Sequence, residues 1–145
     1  MSKRFRFLCP QCGTYQEVKG NGPCWKCHVE VALPTDGLIL IYRKFSAPVS
    51  MGILLNGYDL GCLGYRPGHM GIKECAQIPV QYGHYNVVVK YLDNLMNKYK
   101  GIGQEFDITP DNRVMYLKVE RVIPGYHATV VVEPATAAEM PPGLT

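Results

Sequence analysis

Four cysteines constrain this chain more than any other feature. They form two C-x2-C pairs, Cys9 with Cys12 and Cys24 with Cys27, separated by eleven residues. A two-residue gap lets both sulfurs of a pair reach one ion, and four thiolates suit a tetrahedral divalent metal. Gly13 follows the first pair directly, where a tight turn can aim backbone N–H groups at the sulfurs. Gly20, Gly22 and Pro23 then turn the chain back before the second pair. The pattern predicts two short hairpins closed around a single metal ion.

The segments 7–13 (FLCPQCG) and 22–28 (GPCWKCH) resemble the zinc-ribbon family. The resemblance covers residues 1–33. It implies one zinc ion per chain, held by Cys9, Cys12, Cys24 and Cys27. The family often carries glycine after the second pair as well; here His28 stands in that place. A module this small buries too little apolar surface to fold alone, so metal binding would supply its folding energy. Three other chemistries fit parts of the pattern. A rubredoxin-like iron site for electron transfer uses the same four thiolates. Cys24-Trp25-Lys26-Cys27-His28 matches a haem-attachment motif but leaves Cys9 and Cys12 without a role. A redox dithiol would call for a helix start in a βαβ setting, which this region lacks. Zinc is the expectation, with His28 a turn residue outside a tetrahedron already full. Trp25 is read as a packing or docking residue. Phe5, Phe7 and Tyr15 are read as the small apolar face of the ribbon.

Hydrophobic residues make up 47% of the 145 and charged residues 19%, as in a globular protein. No apolar run approaches the ~20 residues that span a bilayer, and no secretory signal is visible at the start. The expectation is a cytoplasmic protein without a membrane segment, a setting in which clustered cysteines bind metal more often than they form disulfides. The formal charge is +3, all of it within residues 1–33, where Lys3, Arg4, Arg6, Lys19 and Lys26 outnumber Glu17 and Glu30. That excess points to nucleic acid. Four thiolates around a dication contribute a net −2, however, and remove most of it.

After a linker at 34–36 the texture changes to strand after strand, at 38–42, 51–55, 58–63, 76–80, 85–91, 102–108, 113–120 and 127–133. These runs are rich in Val, Ile, Leu and Tyr and are bounded by Gly, Pro, Asn and Asp. Asn56-Gly57 predicts a two-residue hairpin and Asp111-Asn112 a turn. Met115, Leu117 and Val119 alternate with Tyr116, Lys118 and Glu120, giving one buried face and one wet face. Leu92, Leu95, Met96 and Tyr99 are spaced as on a helix, so 92–100 reads either as a helix or as a bend between strands. The predicted class is mainly β: an N-terminal zinc ribbon and an antiparallel β-sandwich of about eight strands at 37–133. A disordered tail is expected at 134–145. The stretch 53–91, with its Leu55-Asn56-Gly57-Tyr58 hairpin and its Tyr82-Gly83-His84-Tyr85 strand opening, resembles small PEGA-like β-sandwich domains. That resemblance implies a binding or structural module.

Cys62 and Cys75 are expected to be buried small apolar side chains. The long irregular stretch 64–74 offers Arg66, His69 and Met70 as candidates for a binding loop. His84 and His127 have no catalytic partner nearby in sequence. No nucleophile-elbow, H-E-x-x-H or phosphate-loop pattern occurs. The reading is a non-enzymatic zinc protein, a metal-stapled interaction module on a sandwich scaffold. Its partner is expected to be a protein met through Trp25, Arg66 or His69. Nucleic-acid binding by the basic ribbon and iron electron transfer stand as alternatives.

Overall fold

A computed structural model describes residues 5–43, 51–63, 75–93, 98–122 and 129–139. Two small hairpins open the chain. Strands β1 (Phe5–Leu8) and β2 (Tyr15–Val18) pair antiparallel, as do β3 (Gly22–Pro23) and β4 (Glu30–Val31). Eight strands follow: β5 (Gly37–Arg43), β6 (Met51–Leu55), β7 (Tyr58–Leu63), β8 (Cys75–Val80), β9 (Gly83–Asp93), β10 (Lys98–Ile108), β11 (Val114–Val122) and β12 (Thr129–Pro134). They form two four-stranded sheets, ordered β10-β9-β6-β7 and β12-β11-β5-β8.

The sheets pack face to face. Ile53, Leu60, Val87, Val89 and Phe106 of one meet Ile39, Ile41, Ile78, Leu117 and Val119 of the other in a single buried cluster. Strict alternation along β9 and β11 puts these residues inward, as the pattern of Leu117 and Val119 predicts. The other face of β5 is covered as well. Leu40 and Tyr42 are buried there with Cys75, packed by Tyr116 and Ala135. Tyr116 is thus half-buried and not on a wet face.

Asn56 and Gly57 both take positive φ, 49° and 85°, so the predicted two-residue turn forms. The Asn56 side chain also accepts a bond from the Asn86 N–H at 2.8 Å, which fixes the hairpin tip to β9. Pairing is antiparallel throughout except between β5 and β11, which run parallel from Leu38↔Val114 to Arg43↔Val119. Several strands lie between these two in sequence, which leaves ample chain for the crossover that parallel neighbours need. The helical option at 92–100 is not realised at 92–93 or 98–100, and 94–97 lie outside the described residues. β9 runs to Asp93 and β10 starts at Lys98, with Asp93 opposite Lys98. Glycines at 101 and 103 favour the extended form, because glycine is a poor helix residue.

Chain order is also seen just past the last strand. Ala137–Glu139 forms one 3-10 turn, and Glu139 pairs with Lys118 at 3.0 Å. No helix among the described residues is long and apolar enough to cross a membrane.

Candidate metal centre

The two cysteine pairs occupy matching knuckles. In the first, Gly13 N–H donates to the Cys9 carbonyl at 2.8 Å, and Cys9 N–H donates to the Thr14 carbonyl at 3.0 Å. In the second, His28 N–H donates to the Cys24 carbonyl at 2.9 Å, and Cys24 N–H donates to the Val29 carbonyl at 2.8 Å. Gly13 has φ 73° and His28 has φ 65°. The histidine therefore occupies the left-handed position that glycine fills in the first knuckle.

These turns bring all four sulfurs within 4.8 Å of one another. Cys9 Sγ lies 3.6 Å from Cys27 Sγ, and Cys12 Sγ lies 3.7 Å from Cys24 Sγ. A disulfide would bring sulfurs to ~2.05 Å. A tetrahedron with metal–sulfur bonds of ~2.3 Å has edges of roughly 3.8 Å, close to the gaps seen. The cysteines are free, and His28 is not part of the cluster. The geometry is that of a four-cysteine metal site, and the donor set fits a closed tetrahedral ion.

Cys9 and Cys24 are buried, Cys27 is half-buried and Cys12 is exposed. Phe7, Val29 and Val31 surround the buried pair. Backbone N–H groups of Cys27 and Lys26 point at the Cys24 sulfur and bring its pKa down to about 6. The hydroxyl and N–H of Thr14 lower that of Cys12, whose sulfur is 3.1 Å from Thr14 Oγ1. The Val29 N–H favours the Cys27 thiolate, but burial and the neighbouring sulfurs outweigh it and push this thiol up to about 12. The set as a whole releases its first proton easily and its last only with difficulty. A cation at the centre removes that difficulty.

The ribbon does not stand apart. Leu8 and Tyr15 pack against the sandwich core. Arg6 is buried, and its guanidinium forks between two edge strands: Nη1 donates to the Leu60 carbonyl of β7 at 3.0 Å, Nη2 to the Cys75 carbonyl of β8 at 3.3 Å. It thus ties the two sheets together where their edges meet. A bulge in β7 prepares the contact, because Leu60 and Gly61 together oppose Ile53. Gly61 has φ +80°, and a Cβ there would stand 2.7 Å from Tyr15 Oη. The bulge also corrects one expectation. It shifts the alternation so that Leu60 and Leu63 both face the core, leaving Cys62 exposed. Cys75 is buried as expected.

Further contacts hold the linker. Arg113 Nε donates to the Asp36 carbonyl at 2.7 Å and Nη2 to the Thr35 carbonyl at 2.9 Å. Asn21 Oδ1 accepts the Leu33 N–H at 2.8 Å. Between ribbon and sandwich lies a cleft of about 570 Å³ lined by Phe5, Leu33, Pro34, Pro79 and Arg113 among others. The three ribbon aromatics therefore part company: Phe5 lines this cleft, Phe7 packs at the metal site and Tyr15 meets the sandwich.

Trp25 projects into solvent, 65% exposed, beside exposed Lys26. Arg66 and His69, with all of 64–74, lie outside the described residues, as do Lys3, Arg4 and His127. His84 pairs with Asp107 at 2.8 Å on the open face of β9 and β10. Arg6 is the functional residue that sequence reading misplaced. Counted as part of a basic patch, it is spent on two buried carbonyls. No local signal announces this, since only the fold brings Leu60 and Cys75 to it. No protein-family model, curated protein or solved structure matches the chain.

Proposed function

We propose that the four cysteines hold one structural zinc ion and that the protein is a non-enzymatic interaction module. In this reading the ion rigidifies the ribbon, and the ribbon both closes one side of the sandwich and presents Trp25 to a protein partner. The observation that carries it is the sulfur cluster, with gaps close to the edges of a tetrahedron. A closed four-thiolate shell leaves no open position for substrate, which is the mark of a structural zinc site rather than a catalytic one. Thiolate ligands require a reducing compartment, which supports the cytoplasm. Trp25 supplies a large apolar surface at a rigid knuckle, a feature typical of protein contact sites.

The burial of Arg6 counts against binding nucleic acid through the ribbon, since it withdraws one of five basic side chains from the surface. Elemental analysis of protein purified without added metal tests the main reading. One zinc per chain and a colourless solution are expected. Visible thiolate-to-iron absorption would replace zinc with iron, and a folded, metal-free ribbon would overturn the site altogether.

A further inference from the structure

Each sheet of a sandwich has two edges, and an open edge invites another strand. Three of the four edges here carry a recognisable protection. The β7 edge is bulged at Leu60–Gly61 and tied to Arg6. The β8 edge contains Pro79 and gives its Cys75 carbonyl to the same arginine. The β12 edge is short and stops at Pro134. The fourth edge, β10, comes near β12 of the facing sheet but is not paired with it; it is 11 residues long, has no proline and shows no register shift against β9. Gly101 and Gly103 in its middle are exposed.

The surface beside this edge has a particular charge layout. Lys90 lies opposite Gly101 on the solvent face of the sheet, with Gly52 on its other side. Lys90 Cγ is 3.9 Å from where a Gly101 Cβ would stand, so the side chain passes beside the bare glycine. It is exposed and has no ion pair among the described residues. Glu105 lies on that same solvent face, four residues further along β10, and among the described residues its carboxylate meets only the distant Nε2 of His84 at 4.0 Å.

We infer that two copies of this chain pair antiparallel through β10, centred on Gly103, so that Lys90 of each reaches Glu105 of the other across Gly101. The centring follows from the charges. Antiparallel pairing about Gly103 puts the second copy's Glu105 directly opposite Gly101. Only a glycine then separates it from Lys90, two strands and roughly 10 Å away. A long lysine and a glutamate span that gap over a residue without a side chain. The same pairing is repeated by the two-fold axis, as an isologous contact requires. It joins the β10-β9-β6-β7 sheets of the two copies into one of eight strands. This inference is independent of which metal the ribbon holds.

The test uses the full-length, metal-loaded protein in sedimentation-equilibrium runs at low and at physiological salt. A dimer is expected, with Lys90→Glu and Glu105→Lys each weakening it by about tenfold or more, because each reversal creates two like-charge contacts. The double variant Lys90→Glu/Glu105→Lys should restore dimerisation to near wild type. Both sites are exposed, so thermal melts should show a folded sandwich in every variant. A wild type that stays monomeric at high micromolar concentration would overturn the inference. So would a dimer indifferent to both reversals, or a double variant weaker than either single one.

Discussion

The ribbon and the sandwich reach order by opposite means. In the sandwich, Ile39, Ile41, Ile53, Val87, Val89, Leu117 and Val119 are all fully buried in one continuous core. Among the described residues of the ribbon the only buried apolar cluster is Cys9, Cys24 and Val31, and two of those three belong to the candidate metal site. Apolar burial of ~25 cal/mol per Å² can hold the first region and cannot hold the second. Yet the two are not independent, because Arg6, Leu8 and Tyr15 belong to the ribbon in sequence and to the sandwich in packing. A metal held by the four cysteines would thus act, through the β1-β2 hairpin, on strands that bind none.

Removing the ion should therefore have the largest effect and should reach beyond its site. In the proposed zinc form the ion would contribute ~10 kcal/mol or more. Chelation, or Cys24→Ala, is expected to abolish hydrogen-exchange protection throughout β1 to β4. It should also lower the melting temperature of the sandwich without unfolding it at room temperature. An unchanged sandwich melting temperature would show that the docking contacts carry no energy. Metal uptake at pH 7 should release close to four protons, measured by calorimetry in buffers of different ionisation enthalpy, because the thiols of the unfolded, metal-free ribbon keep the ordinary value of 9.0. The depressed Cys24 value favours the metal-free ribbon fully above the ordinary thiol pKa of 9.0, and this contribution fades as pH falls through about 6. The raised Cys27 value acts in the opposite sense, contributing below 9.0 and fading as pH climbs toward about 12.

The junction itself can be cut with the metal in place. Arg6→Met keeps the apolar stem and deletes both forked bonds, leaving the Leu60 and Cys75 carbonyls without this donor. A loss of about 3 kcal/mol is expected in chemical denaturation. Arg6→Lys should recover less than half, because a single ammonium cannot fork between two carbonyls as a planar guanidinium does. Equal stability of the lysine variant and wild type would mean that the fork is unimportant.

Much of this was legible beforehand, and the misses share a cause. Strands β6 and β7 match the predicted runs at both ends, and the Asn56-Gly57 turn and the four cysteines lie where local pattern puts them. Each of those signals sits within a few residues. The burial of Arg6, the parallel pairing of β5 with β11 and the exposure of Cys62 depend on partners far away in the chain or on one bulge. Leu92, Leu95, Met96 and Tyr99 matched helical spacing, although the register of β9 with β10 brings Tyr91 opposite Lys100. Spacing alone does not separate two strand ends from one helix.

A smaller effect is expected at Gly61, and it can be made conditional. Gly61→Ala meets Tyr15 Oη at 2.7 Å and Cζ at 2.9 Å, and it strains a backbone at φ +80°. With metal bound, about 2 kcal/mol should be lost. After chelation the hairpin carrying Tyr15 is released, and only the backbone strain of ~1 kcal/mol should remain. An identical penalty with and without metal would place Tyr15 on the sandwich regardless of the ribbon's state.

The smallest effect is at His28, where the two knuckles can be compared directly. Both have the same pair of backbone hydrogen bonds and nearly the same positive φ, but only the first has glycine. Left-handed backbone costs an L-residue ~1 kcal/mol that glycine avoids, while glycine adds freedom to the unfolded chain and offsets part of the gain. His28→Gly should therefore keep full metal stoichiometry and raise ribbon stability by a few tenths to ~1 kcal/mol, read from metal retention against a competing chelator. Gly13→Ala, the reverse change in the other knuckle, should weaken retention by a similar amount. If His28→Gly instead loses the metal, the imidazole acts on the ion in a way that its place outside the sulfur cluster does not provide. The symmetry between the knuckles would then be one of backbone alone.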